Sequence, residues 1–149
     1  MALLAAQSLH PQQIQYVIYT HGHIDHVGNS NLFPQATFIA GRDRAIGDRY
    51  AQLDYSTGPL RLADDVHIIP TPGHTPEDIS VLVTTATGLV AIVGDVFEHA
   101  SDNHNHESWT VSSWNQEVQH ASRERILSIA DRIVPRHGGM FSVNRGIAT

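Results

Sequence analysis

Four potential metal ligands fall within the six residues His21-Gly22-His23-Ile24-Asp25-His26. In an extended segment alternate side chains share a face, so His21 and His23 can address one ion, while Asp25 and His26 turn toward a second. Gly22 carries no side chain and permits the close backbone approach of a crowded metal loop. The chain has no cysteine and eleven histidines, so any metal chemistry here rests on imidazole and carboxylate.

Four ligands close one site, and three further candidates follow. His74 stands in Thr71-Pro72-Gly73-His74-Thr75-Pro76, where two prolines and a glycine fix a turn. Asp95 comes directly after the apolar run Val90 to Gly94, and His137 follows Ile133-Val134-Pro135. Each lies where an apolar segment runs out into a loop, the usual place for site residues on a rigid scaffold. Taken alone, a histidine is most often a satisfied surface or core residue, and an aspartate a turn residue or cap. In company with the six-residue cluster, the three read as ligands. His10, His67 and His120 have no clustered partners. His99, His104 and His106 share a polar stretch with Asp102 and Glu107 that reads as solvated rather than as a third site, and Trp109 and Trp114 read as packing or stacking residues.

The elements that must position these groups follow from the apolar pattern. Tyr16 to Tyr19, Ala36 to Ala40, Val66 to Ile69, Ile79 to Thr85 and Leu89 to Val93 are β-prone runs, the last two forming a hairpin across Thr87-Gly88. Val118, Ile126, Ile129 and Ile133 recur at helical spacing, which predicts a helix from Trp114 to Ile133, with Ser113 and Gln116 resembling a capping box. No repeat or low-complexity tract marks a boundary, so residues 1–149 are expected to form one domain or part of one.

Composition narrows the function classes. A hydrophobic fraction of 41% and a charged fraction of 16% belong to an ordinary globular chain. The net charge of -6 argues against a protein that coats nucleic acid nonspecifically, although a nuclease with a single site is compatible with it. All nine cationic residues are arginines, and Arg42, Arg44 and Arg49 lie close together in a stretch that reads as a solvated loop or a phosphate contact. No apolar run reaches the roughly 18 residues of a membrane span, and the opening residues lack the basic start of a secretory signal, so the expected location is the cytoplasm, with the nucleus second.

The ordered set His21-x-His23-x-Asp25-His26, Pro72-Gly73-His74, Gly94-Asp95 and Pro135-x-His137-Gly138 resembles the metallo-β-lactamase superfamily. The resemblance implies an α+β fold, the αββα sandwich. With only 20 residues before His21, the chain would be its C-terminal portion, the N-terminal sheet largely missing. It also implies that His21, His23 and His74 hold one zinc, Asp25, His26 and His137 a second, and that Asp95 bridges them. Asp25 and Asp95 would be the catalytic carboxylates of a zinc-dependent hydrolase working through a metal-bridging hydroxide. Iron or manganese would suit the same ligand types.

Within the superfamily, Gly94-Asp95-Val96-Phe97-Glu98, Glu107-Ser108-Trp109, Pro135-Arg136-His137-Gly138 and Phe141-Ser142-Val143 resemble a branch that cleaves histone pre-mRNA, which implies an endoribonuclease acting on RNA phosphodiesters. Glyoxalase II enzymes share the ligand set, making a thioester or another small anionic molecule the alternative substrate. An oxygen-reducing or persulfide-oxidising iron member is a further alternative, with no flavin-binding segment visible to support it. A sandwich short of strands leaves an apolar face, so the remaining expectation is a metal-binding but inactive piece that pairs with another chain, most simply as a homodimer.

Overall fold

The computed structural model describes residues 2–103 and 106–144. Short β-prone runs separated by Gly, Pro and Asp turns become two sheets. The first contains β1 (Tyr16–Tyr19), β2 (Thr37–Ala40), β3 (Asp43–Ile46) and β4 (Arg49–Gln52) in that order, β1 and β2 parallel and the rest antiparallel. The second contains β5 (Leu60–Arg61), β6 (Val66–Pro70), β7 (Ile79–Thr85), β8 (Gly88–Gly94), β9 (Arg132–Pro135) and β10 (Phe141–Ser142) in the spatial order β10-β9-β8-β7-β6-β5. Its strands are antiparallel except β8 and β9, which are parallel. A parallel pair needs a crossover, and α4 (Gln116–Ile129) lies within it. Three short α-helices, α1 (Ala2–Ala6), α2 (Ile24–Val27) and α3 (His106–Thr110), and 3-10 turns at Pro11–Gln13, Ser30–Leu32 and Ala100–Asn103 complete the elements among the described residues.

The second sheet is apolar on both faces because successive strand residues point opposite ways. In β6, Ile68 packs with Ile39, Leu53, Tyr55, Ile79 and Val81 between the two sheets. Its neighbour Ile69 turns the other way and packs with Leu82, Ala91, Val93, Val96, Phe97, Ile126, Ala130 and Ile133 beneath α4. Helix, six-stranded sheet and four-stranded sheet therefore stack as layers around two cores. This is the expected α+β sandwich, and the sheet that leads into the histidine cluster is the smaller one, with β1 at its edge.

The expected strands and the hairpin form within about a residue of their predicted bounds. The long helix needs correction. It begins at Gln116, capped by the Asn115 side chain, which accepts from Val118 N at 3.1 Å; the Ser113 hydroxyl is engaged elsewhere, donating to the Gly73 carbonyl at 3.1 Å. It ends at Ile129, because Ala130 turns extended with φ -83° and ψ 143°, and Ile133 lies in β9. The apolar spacing runs on because helix and strand bury residues in the same core: Ile126 and Ile133 belong to one cluster. The arginine stretch is also more ordered than a solvated loop, forming the β3–β4 hairpin around Gly47 with Arg44 and Arg49 exposed. Among the described residues no helix is long and apolar enough to cross a membrane.

Candidate metal centre

The candidate ligands sit in the loops, and in the one helical turn, that follow strand ends, and backbone bonds tie those ends together. β1 runs out at Tyr19, and the Thr20 carbonyl accepts from Ile79 N at 2.9 Å, fixing the histidine loop to the start of β7. His21 is thereby buried at 1% exposure. His23 is the N-cap of α2, whose single turn carries Asp25 and His26. The exit of that turn is fastened by Ser30, whose hydroxyl donates to the Val27 carbonyl at 2.8 Å and lies 2.6 Å from the Tyr19 hydroxyl.

α4 anchors the next two ligands. In the His74 turn, Gly73 has φ +148°, and a Cβ there would lie 2.2 Å from Gln119 Cα, so only glycine lets the turn rest against the helix. Asn115 N donates to the Gly73 carbonyl at 3.0 Å, and the Ser122 hydroxyl to the Pro72 carbonyl at 2.7 Å. Gly94, φ +55°, likewise lets the end of β8 approach Thr20, whose Oγ1 would be 2.3 Å from an added Cβ. The Asp95 loop beyond it is held from above: Gln119 Nε2 donates to the Asp95 carbonyl at 3.1 Å, and Arg123 Nη1 to the Val96 carbonyl at 2.7 Å. Arg123 is buried against the Phe97 and Trp109 rings at 3.9 and 4.6 Å, and burial pushes its pKa down to about 10, which leaves it charged at neutral pH. His137 enters from the end of β9, its N–H donating to the Glu98 carbonyl at 2.9 Å.

The seven side chains singled out in the sequence converge around Asp95. His23 Nδ1 lies 2.9 Å from His21 Nε2 and 3.1 Å from His74 Nε2. Asp95 Oδ2 is 3.5 Å from His74 Nε2 and 3.8 Å from His21 Nε2, and these four residues each offer a ligand atom within 4.8 Å of the others. The other carboxylate oxygen faces a different pair, with Asp95 Oδ1 3.4 Å from His26 Nε2 and 3.9 Å from His137 Nε2. Asp25 completes that side, its Oδ2 3.5 Å from His26 Nε2.

The donor chemistry fits a cation. Three imidazole nitrogens meet at one point, where a single shared proton can satisfy at most one pair of them, and Asp95 Oδ1 is buried with no hydrogen-bond partner among the described residues. A divalent ion relieves both conditions at once. Burial, then the neighbouring His26, His74 and His23, push the His21 pKa down to about 3, so this imidazole is neutral at pH 7, the form that binds metal. Burial likewise holds His26 below its usual value, with Arg136 acting in the same direction. Partial burial opposes ionisation of Asp25, but its own backbone amide, His26 and Arg136 outweigh that and keep its carboxyl below the usual range.

Four contributors were missed in the sequence. Asp78 is buried behind His21, its Oδ1 3.9 Å from His21 Nδ1, while its two oxygens accept from the Thr75 N–H and hydroxyl at 2.7 Å each. Burial raises its pKa. It is placed to orient the imidazole from behind. Gln119 and Arg123 hold the Asp95 loop, and Arg136 lies across His26. Of these, only Arg136 carried a signal, as the neighbour of His137. The polar stretch after β8 is a structural turn: Asp102 is buried, its Oδ2 accepting from the Glu98 and His99 amides at 2.8 and 3.0 Å and its Oδ1 from the Ser108 hydroxyl at 3.0 Å. His99 is exposed, its ring 6.0 Å from that of His137. His104 and the side chains of His106 and Glu107 lie outside the described residues. Trp109 is buried and Trp114 exposed.

Comparison with known proteins bears on this geometry. Residues 1–57 match the model of the metallo-β-lactamase superfamily. The chain is 43% identical over 146 residues to metallo-β-lactamase domain-containing protein 1 of Rattus norvegicus, and 41% identical over 149 residues to the Homo sapiens protein of that name. These alignments cover 95% and 97% of the chain but 57% and 55% of the relatives, so the chain spans just over half their length. Its fold is that of AidC, a dizinc quorum-quenching lactonase, with a TM-score of 0.69 at 14% identity, over 97% of this chain and 65% of that one. In sequence, through residues 1–57 and through relatives at 41–43% identity, the chain is similar to the metallo-β-lactamase superfamily.

Proposed function

We propose that the chain is a metal-dependent hydrolase whose centre takes two divalent ions, one held by His21, His23 and His74 and the other by Asp25, His26 and His137, with Asp95 shared between them. The observation that carries the reading is the division of the Asp95 carboxylate, one oxygen toward His21 and His74, the other toward His26 and His137. A divalent pair, when bound, supplies Lewis acidity and water activated at neutral pH. Zinc suits this donor set; iron and manganese are the alternatives.

The chain's own residues do the rest. Asp25 and Asp95 offset only part of the charge of two divalent cations, which leaves the centre positive and suited to an anionic substrate or a developing oxyanion. Asp25 lies at the open side, with 55% of its side chain exposed, where its carboxylate would orient a water and accept its proton. The substrate proposed first is RNA, cut at a phosphodiester, on the strength of the Gly94–Glu98, Pro135–Gly138 and Phe141–Val143 segments and of the exposure of Asp25 and His137. A lactone or thioester is second, supported by the fold shared with a lactonase.

Metal-loaded chain should be assayed on single-stranded RNA, on an acyl-homoserine lactone and on a glutathione thioester, each with Asp95→Asn as control. Cleavage of RNA alone, lost in the variant, is the expected result; lactone turnover without RNA cleavage would replace the first substrate by the second. A third reading, an inactive partner of another chain, has one observation in its favour: β1 is an edge strand that carries an exposed Tyr16. A mass in solution of two chains with no turnover on any substrate would favour it.

A further inference from the structure

The two sides of Asp95 differ in one respect that their ligands do not explain. Among the described residues nothing cationic is paired with His21, His23 or His74 apart from the imidazoles themselves, whereas a guanidinium lies across the other side. Arg136 Nε donates to His26 Nε2 at 3.2 Å, Nη2 donates to the Asp25 carbonyl at 2.8 Å, and Nη2 is 3.8 Å from the Asp25 carboxylate. His26 Nε2 is the atom that faces Asp95 Oδ1. The Arg136 fork therefore already engages the lone pair and the negative charge that a second ion would use.

The tautomer makes the competition direct. Accepting from Arg136, His26 carries its proton on Nδ1, which points to Thr20 Oγ1 at 3.4 Å. Metal binding through Nε2 needs that same tautomer, so one cation can replace another with no proton moved. The replacement is still unfavourable in two ways: hydrogen bonds of a charged donor are given up, and the guanidinium is left close to the incoming ion.

We propose that Arg136 is a resident cation of the second metal position, displaced when the second ion binds, and that it makes the second ion weaker than the first. This rests on the two-ion reading above. It assigns Arg136 a positioning role toward the metal, separate from any contact with substrate.

Metal-free wild type, Arg136→Gln and Arg136→Lys should be titrated with zinc alone, with the heat of binding and the absorbance of a competing chelator as readouts and circular dichroism to follow the fold. Glutamine removes the charge and keeps a shorter, polar stem. The expected result is first-ion affinity unchanged within about twofold and second-ion affinity tightened on the order of tenfold in Arg136→Gln. Lysine keeps the charge but cannot bridge His26 and Asp25 together, so its second-ion affinity should rise by a smaller factor. One ion in the wild type and two in Arg136→Gln would also support the inference. Two ions in both with equal affinities would overturn the inference while leaving the proposed function standing; one ion or none in both would overturn the two. Should Arg136→Gln lose its fold, a second-ion affinity in Arg136→Lys equal to that of the wild type overturns it.

Discussion

The two sides of the Asp95 carboxylate are both built on imidazoles, the outer one with Asp25 added, and they are supported differently. On the inner side, His21 and His74 are buried at 1% and 6% exposure, Asp78 backs the first, and α4 grips the turn that carries the second. On the outer side, the Asp25 and His137 side chains are 55% and 42% exposed, His26 rides on a one-turn helix, and Arg136 stands among them. Geometry held by a packed core is preorganised, so little ordering remains when an ion arrives; geometry held by a single turn and a loop must be assembled by the ion. On the proposed reading, the inner side should hold the tighter ion, and the outer side should adjust and meet substrate.

The comparison can be broken most severely at Gly73. Gly73→Ala puts a Cβ into the Gln119 backbone at a φ that side chains rarely adopt, so the His74 turn must leave α4. Its effect should reach the roughly 1–3 kcal/mol of bulk forced into a packed core, with the strained backbone adding to it. A chain that melts far below the wild type, or one that folds but no longer holds its tighter ion, is expected; a wild-type melting curve with normal metal binding would contradict the anchoring role of α4. Next come the ligands themselves. His74→Ala should remove the tighter of two zinc-binding events, while His137→Ala should remove only the weaker. Equal losses in the two titrations would erase the distinction between the sides. The smallest effect is expected behind the ligands, where Asp78→Asn keeps the shape but removes the charge facing His21 Nδ1; such supporting carboxylates are worth about 10–100-fold in metal affinity. A loss confined to the first ion sharpens the comparison, and a loss on the second ion alone would reverse it.

These differences also separate what the sequence made legible from what it did not. The side chains that converge at Asp95 were legible as candidate ligands because six contiguous residues and three positions beyond strands announce them by type. The strands followed from β-branched and aromatic runs. The helix was read too long because Ile126 and Ile133 serve one core from two elements, and the β3–β4 hairpin was missed because its exposed arginines hide its alternation. The supports were illegible for a different reason. Gln119 meets a carbonyl 24 positions away, Arg123 one 27 away, and Arg136 a histidine 110 away. Such pairings depend on crossovers that bring distant loops together, and no local spacing encodes them.

The most direct test of a two-ion centre is the metal content of the purified chain, by elemental analysis alongside its mass in solution and a melting curve before and after a chelator. The account predicts about two zinc ions per chain after saturation, one surviving extensive dialysis, and a melting temperature that falls when the chelator strips them. A folded chain that holds no metal, with a melting curve indifferent to zinc and chelator alike, would contradict it.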